Sequence, residues 1–451
     1  MWLIDASPTL FTDLYEFTMA QAYYHRGMDQ VGHFEVFVRD LPEHWGFFVM
    51  AGLPEVKSYI REFRFSDEDL LYLRSTRLFE SDFLVHLATM KLDVKIRALP
   101  EGAVFFPNEP ILEVSGPIVQ AQLLETYILN ILGFSVIEAT LAARMMIAAR
   151  GASVVDFGLR RCQGPISAIR AARGGQMAGF DGTSNLSASR LLDLPPSGTM
   201  AHSFVEVHES EEQAFHTYAE IYGDRTILLV DTYDSIEGIK IAARVAKDFA
   251  DRGVRIRGIR LDSGDLVELS RFARDHFRKT GVEFLSIFAS GDLDEFRIAE
   301  MLDAGAEIDG FGVGTRFTVS QHAPAIGIVY KIARYGDRDL YKTSTNKGTI
   351  PGRKTILRTG HPLYEKDTII PFEPGADDLL QPFEFVEPMP VIQKRLRREL
   401  SALPDLVERI TEPAEYPVDF IGFSPQPSQV SAHSQGGASP TPQPRFQRDS
   451  A

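Results

Sequence analysis

The sequence predicts an α/β barrel joined to a second, α+β domain, and three observations predict it. The chain has 451 residues, more than one compact core of ~100–200 residues uses. In its middle, short runs rich in Val and Ile each end in a polar, Gly-containing loop and then a helical stretch, which is the βα rhythm. Before residue 145 that rhythm is absent, and strand-like alternation is mixed with helical spacing. The expected division is residues 1–145 together with 330–423 as the α+β domain, 146–329 as the α/β barrel, and 424–451 as a disordered tail.

From Thr12 to Tyr24, Leu14, Phe17, Met19, Ala20 and Tyr23 recur near helical spacing, with Thr12 or Asp13 as N-cap. His33 to Val38 alternates as a strand, and Val104 to Phe106 and Ile111 to Val114 are β-prone pieces around a Pro107-Asn-Glu-Pro110 turn. Val119 to Arg150 reads as one or two buried helices with a break near Gly133. The barrel runs are Ser153 to Asp156, Thr226 to Asp231, Gly258 to Asp262, Leu285 to Ser290 and Gly310 to Thr315, with crossover helices at Ile236 to Asp251 and Glu295 to Ala304. Several runs end in Asp or Ser, so polar groups gather at the carboxyl ends of the strands, where parallel α/β proteins build their sites. After Tyr330, segments punctuated by Gly and Pro are expected to return to the first domain's sheet. From Ser424 onward Ser, Pro, Gln and Gly dominate, a composition that buries no core.

Composition narrows the function. Acidic residues number 62 against 47 basic, a net charge of −15 that repels phosphate backbones, so nucleic acid is not an expected partner. The lone Cys162 builds neither an internal disulfide nor a Cys-rich zinc site, as in a reducing compartment. Asp5, Asp13 and Glu16 stand where a signal peptide needs basic and then apolar residues, and Glu125, Asn130, Glu138 and Arg144 make Leu123 to Ala149 too polar to span a bilayer. A cytoplasmic enzyme without a membrane partner is expected.

Four constellations carry chemistry. Gly310-Phe-Gly-Val-Gly-Thr315 ends a strand with Gly312, Gly314 and the Thr315 hydroxyl, which suits a phosphate or, more plainly, a tight turn. In Arg260-Leu-Asp-Ser-Gly-Asp265, strand alternation aims Arg260 and Asp262 to one side, either to grip an anion and a sugar or Mg²⁺, or to pair with each other. His202, in Gly198-Thr-Met-Ala-His202-Ser, is a candidate nucleophile, base or ligand, and no HExxH spacing supports a metal site. Arg160 and Arg161, after Asp156-Phe-Gly-Leu, suit a diphosphate or serve as a surface pair.

Taken in order, DLYEFTMAQAYY, DFGLRR, GFDGTSN, SGTMAHSFV, LLVDTYDS, GIRLDSGDL and GFGVGT resemble the nicotinate phosphoribosyltransferase family from about Thr12 to about Arg358. The resemblance implies an irregular α/β barrel of the type II phosphoribosyltransferase kind beside a domain built from both chain ends, working as a homodimer with sites near the subunit interface. It implies synthesis of nicotinate mononucleotide and pyrophosphate from nicotinate and phosphoribosyl pyrophosphate (PRPP), coupled to ATP hydrolysis and using Mg²⁺ with PRPP and ATP. His202 then matches the histidine that takes the phosphoryl group, Arg260, Thr199 and Tyr15 match nicotinate contacts, and Phe180 is an aromatic wall for the ring. Thr315, Gly312 and Gly314 match the ribose 5-phosphate cradle. Arg160 or Arg161 holds the leaving diphosphate, with Asp262, Ser290 and Gly291 beside the phosphoribosyl group. Ala289-Ser-Gly-Asp-Leu-Asp-Glu295 departs from the family pattern but keeps its polar turn, and Cys162 to Met177, with Arg170 and Arg173, departs too. The C-terminal cysteine cluster of some relatives is missing, so no structural zinc is expected. The rival expectations are a nicotinamide or quinolinate phosphoribosyltransferase, and a non-catalytic protein that binds a phosphorylated ligand. An aldolase-type barrel lacks its strand lysine.

Overall fold

The structure is a computed structural model and describes residues 7–343, 348–383 and 386–424. Residues 425–451 of the expected tail lie outside the described residues.

Helix α1 (Leu14–His25) follows Asp13, whose extended backbone starts the helix without a side-chain cap. Strand β1 (Val31–Val38) is the centre of an antiparallel sheet that also contains β2 (Lys95–Ala98) and β3 (Leu112–Pro117). The chain leaves this sheet through a short helix, Ile118–Gln122, and the long α2 (Glu125–Ala149). The expected break at Gly133 does not occur, and the interruption falls at Leu123 and Leu124 instead. Burial along α2 outweighs the ~1 kcal/mol that an interior glycine costs a helix, and Gly133 packs beside Ile328. The apolar stretch Ile118–Ala149 has a membrane-like composition, but 83% of its most apolar window is buried inside the chain, as the core helix between two sheets.

The second sheet is parallel: β4 (Ser153–Asp156), β5 (Gly182–Thr183), β6 (Ile227–Leu229), β7 (Gly258–Leu261), β8 (Ser286–Ala289) and β9 (Gly310–Val313), in the order β5-β4-β9-β8-β7-β6. It is an incomplete α/β barrel, open between β5 and β6. Each of the five expected strands is present, and β5 is an addition inside the GFDGTSN loop, held by pairing to β4 and by a bridge from Thr183 to Pro196. Val154, Ile259, Ile287 and Phe311 are buried, so four adjacent strands contribute to one continuous core. The crossover helices Ser235–Asp251, Leu266–Thr280 and Glu295–Asp303 cover the sheet. After the barrel, β10 (Ile328–Tyr335) pairs with β1 and Gln381–Pro382 pairs with β2, so the chain does return to the first sheet.

Ion pairs lock these layers. Arg144 of α2 meets Glu295 at 3.1 Å with neither side chain exposed, and Arg97 and Arg353 converge on Glu113 of β3. Burial raises the Glu113 pKa, but the bonds from Arg353 and Arg97 outweigh it and bring the carboxyl down to about 2.

Candidate active site

The carboxyl ends of β6, β7 and β8 put three short loops side by side, because parallel strands in register end at one level. After β7, Asp262 is the hub. Its Oδ1 accepts a very short hydrogen bond from Ser290, beyond β8, and lies 4.0 Å from Arg260 Nε; its Oδ2 is 4.0 Å from His202 Nε2. Arg260, inside β7, donates from Nη1 to Thr199 Oγ1 at 2.5 Å while its Nε has no hydrogen-bond partner among the described residues. Burial lowers the Arg260 pKa, opposed by Asp262 and Asp231 and helped by the positive charge of Arg160. A guanidinium 15% exposed, with an Nε that makes no hydrogen bond among the described residues, stands next to a half-exposed imidazole and can take a carboxylate or phosphate.

His202 opens a short helix, His202–Glu206, and its Nδ1 meets Thr232 Oγ1 at 3.1 Å. Asp231 reaches the other way, with Oδ2 accepting from Ser263 Oγ at 2.6 Å and from the Asp262 amide at 3.3 Å. Thr232 and Asp231 therefore belong to the site. The VDTYDS motif at a strand end carries that signal, although its residue pattern alone assigns neither of them a role.

Gly291 follows Ser290 with φ +100°, and a Cβ there would stand 2.3 Å from the Asp262 carbonyl, so only glycine lets the β7 and β8 loops close together. At the end of β9, Gly314 and Thr315 are half-buried at the start of the short helix Thr315–Thr318. Arg160 and Arg161 lie in an exposed turn after β4, and among the described residues neither makes an ion pair.

Three expected residues have settings that their motifs alone do not show. Gly312 is buried within β9, where a Cβ would stand 2.5 Å from the Phe157 ring and 3.3 Å from the Ser290 Cβ, so it makes room for packing directly beside the site. Phe180 is 4% exposed, its ring 5.1 Å from that of Phe317, so it is a core residue and not an open wall for a ligand. Tyr15, 44% exposed on α1, lies beside Glu16 and Glu125, and among the described residues no contact joins it to the His202 cluster. The atypical Arg170 and Arg173 are engaged by Glu55 and Glu101 and tie Pro165–Ala178 to the N-terminal part. Among the described residues no group of three or more His, Cys, Asp or Glu is arranged to hold a metal.

Two family models match this chain: the nicotinate phosphoribosyltransferase N-terminal domain over residues 10–133, and the nicotinate phosphoribosyltransferase family over residues 152–335. The chain belongs to the nicotinate phosphoribosyltransferase family. Similar relatives include nicotinate phosphoribosyltransferase pncB2 of Mycobacterium tuberculosis, 45% identical over 80% of this chain and 78% of that one. The Bacillus subtilis nicotinate phosphoribosyltransferase is 36% identical over 92% and 93% of the two chains. The human nicotinic acid phosphoribosyltransferase structure superposes with a TM-score of 0.78 at 28% identity, covering 91% of this chain and 98% of that one. A Pyrococcus furiosus structure titled nicotinate-nucleotide pyrophosphorylase, at 24% identity and a TM-score of 0.70, covers 88% and 96% and shares the fold. The family assignment joins the antiparallel sheet and the incomplete barrel in one architecture, with the His202–Asp262–Arg260 cluster at the barrel's carboxyl end.

Proposed function

We propose that this chain forms nicotinate mononucleotide and pyrophosphate from nicotinate and PRPP, in NAD salvage, and couples the reaction to ATP hydrolysis through a phosphohistidine at His202. The observation that carries the reading is the hub at Asp262, which lies against both His202 and Arg260 and so joins a nucleophilic imidazole to an anion-binding guanidinium.

Arg260 takes the nicotinate carboxylate. Thr199 fixes one end of the guanidinium, and the unpartnered Nε leaves donors for the acid that an amide does not satisfy equally. Arg160 and Arg161 neutralise the diphosphate that leaves, while Gly314, Thr315, Ser290 and Gly291 surround the phosphoribosyl group. Mg²⁺ arrives with PRPP and ATP as their counter-ion and belongs to those substrates. As the C1–O bond to pyrophosphate lengthens, the sugar gains oxocarbenium character and the pyridine nitrogen supplies the new C1–N bond. The chain's part is alignment and charge placement.

ATP coupling uses the imidazole. With Nδ1 engaged by Thr232, Nε2 is the nitrogen free to attack the γ-phosphorus: the N–P bond forms, the P–O bond to ADP breaks, and water later returns the phosphoryl group as phosphate. A phosphoryl group on Nε2 stands beside the Asp262 carboxylate, and the repulsion passes through Ser290 to the β8 loop. Phosphorylation thus reshapes the site that PRPP enters.

The reading includes a homodimer. Tyr15 neighbours two further exposed apolar residues, Phe11 and Leu14, and exposed Leu186, Leu191, Val207 and Tyr233 lie on the segments around the barrel site. Docking α1 of one copy on that surface of the other covers both groups and brings Tyr15 of the partner subunit to nicotinate. The domain division at about residues 145 and 330 and a cytoplasmic location complete the reading.

The test is incubation with γ-labelled ATP followed by peptide mapping. Acid-labile, base-stable label on His202 supports the reading; label that persists in His202→Ala contradicts it.

A further inference from the structure

The loops after β8 and β9 are fastened to each other by one buried carboxylate. Asp294 is 2% exposed and lies in the β8 loop, shortly after Ser290 and Gly291. Its Oδ1 accepts the Arg297 amide at 2.8 Å and so caps helix Glu295–Asp303. Its Oδ2 accepts Arg316 Nη1 at 2.5 Å and meets His322 Nε2 at 3.1 Å. Arg316 directly follows Thr315, and His322 lies in the turn after helix Thr315–Thr318, where the Gln321 amide donates to the Arg316 carbonyl and Ser320 Oγ to the Ala323 carbonyl. One carboxylate oxygen therefore staples both ends of the 316–322 segment to the β8 side.

The two ends of this staple differ in how firmly they are held. The residues after Asp294 are anchored: Glu295 pairs with the buried Arg144 at 3.1 Å, and the Phe296 ring packs between those of His44 and His322 at 5.6 and 5.2 Å. On the β9 side, Arg316 and His322 are partly exposed, and the Arg316 guanidinium has no other acceptor among the described residues. Helix Thr315–Thr318 is a single turn, too short to hold its own geometry. Burial works against the Asp294 charge, but the bonds from the Arg297 amide, Arg316 and His322 outweigh it and keep the carboxyl below the usual aspartate range, so the staple is ionic at neutral pH.

We propose that Asp294 is a positioning residue for PRPP: through Arg316 and His322 it fixes the β9 loop, with Gly314 and Thr315, at the distance from Ser290 and Gly291 that the phosphoribosyl group spans. The inference rests on the reading of these two loops as the phosphoribosyl site. Asp294 touches no substrate in this account and acts only through the loop it holds.

The experiment measures mononucleotide formation with PRPP and nicotinate varied in turn, in wild type, Asp294→Asn, Arg316→Gln and the double variant. Asparagine still caps the helix but takes away the charge that Arg316 and His322 share. Each single variant should raise the KM for PRPP by about tenfold, the lower end of what one charge-assisted hydrogen bond is worth, and leave the KM for nicotinate within about twofold. The double variant should be no worse than either single one, because both remove the same staple. A merely structural role raises both KM values together and overturns the proposal. So do additive losses in the double variant, which would mean that Arg316 meets PRPP independently of Asp294.

Amide hydrogen exchange in the ligand-free protein reads the staple without any turnover. Residues 315–323 should exchange about tenfold faster in Asp294→Asn than in wild type, while the core of helix Glu295–Asp303 keeps its protection. Unchanged exchange over 315–323 overturns the proposal even if the enzyme uses PRPP. Faster exchange in a protein whose wild type forms no mononucleotide upholds the staple and refutes the phosphoribosyl reading of the loops.

Discussion

Arg260→Lys separates recognition of nicotinate from everything else the site does. Arg260 gives Nη1 to Thr199 at 2.5 Å and keeps Nε unpartnered beside Asp262. A lysine ammonium in its place is a single point charge that cannot hold Thr199 and also present two parallel donors. The loss is about one charge-assisted hydrogen bond, ~1.5–3 kcal/mol, which corresponds to a rise of roughly 10- to 150-fold in KM for nicotinate. The KM for PRPP should change little, since the proposed reading gives the phosphates to Arg160, Arg161 and the β8 and β9 loops. The assay is steady-state formation of nicotinate mononucleotide with each substrate varied in turn, next to a thermal melt. Equal increases in both KM values, or a collapse of Tm, would refute the reasoning and assign Arg260 a structural role.

Further substitutions test the neighbouring contacts. Thr199→Val removes the hydroxyl that steadies Arg260 and should raise the nicotinate KM by about fivefold, one hydrogen bond, in the same assay. Gly291→Ala places a Cβ 2.3 Å from the Asp262 carbonyl at φ +100°, so it should lower Tm and weaken PRPP binding together, read by melting and by PRPP titration. Glu113→Gln leaves Arg353 and part of Arg97 without a buried counter-charge and should cost about 3 kcal/mol in urea unfolding near neutral pH. Because the Glu113 pKa is depressed to about 2, its contribution is present above the ordinary value of 4.5 and is lost as pH falls towards 2, where variant and wild type should converge.

The barrel was legible because each long strand is a self-contained Val- and Ile-rich run that has to be buried on both faces. Ser153–Asp156 and Gly258–Leu261 needed no information from elsewhere. Gly182–Thr183 was not legible: two residues carry no period, and they become a strand only because β4 presents a free edge. Arg260 and Asp262 followed from alternation, which sends both to one side, but Thr232 did not, since its contact with His202 spans 30 positions and depends on where β6 ends. Phe180 and Gly312 show what packing adds to a motif. An aromatic residue after glycine, or a glycine in a rich run, signals close approach, and only packing shows that the approaching groups are Phe317 and Phe157. Tyr15 lies exposed on α1, and only the proposed dimer, which the sequence pattern does not carry, would bring it to the site.

The most direct test of the central claim is a product assay with purified protein, PRPP, ATP and Mg²⁺, offering nicotinate, nicotinamide and quinolinate separately. One guanidinium poised for one carboxylate predicts mononucleotide from nicotinate alone, with ADP released alongside pyrophosphate. Equal turnover of the amide or the diacid, or no mononucleotide from nicotinate, would contradict it.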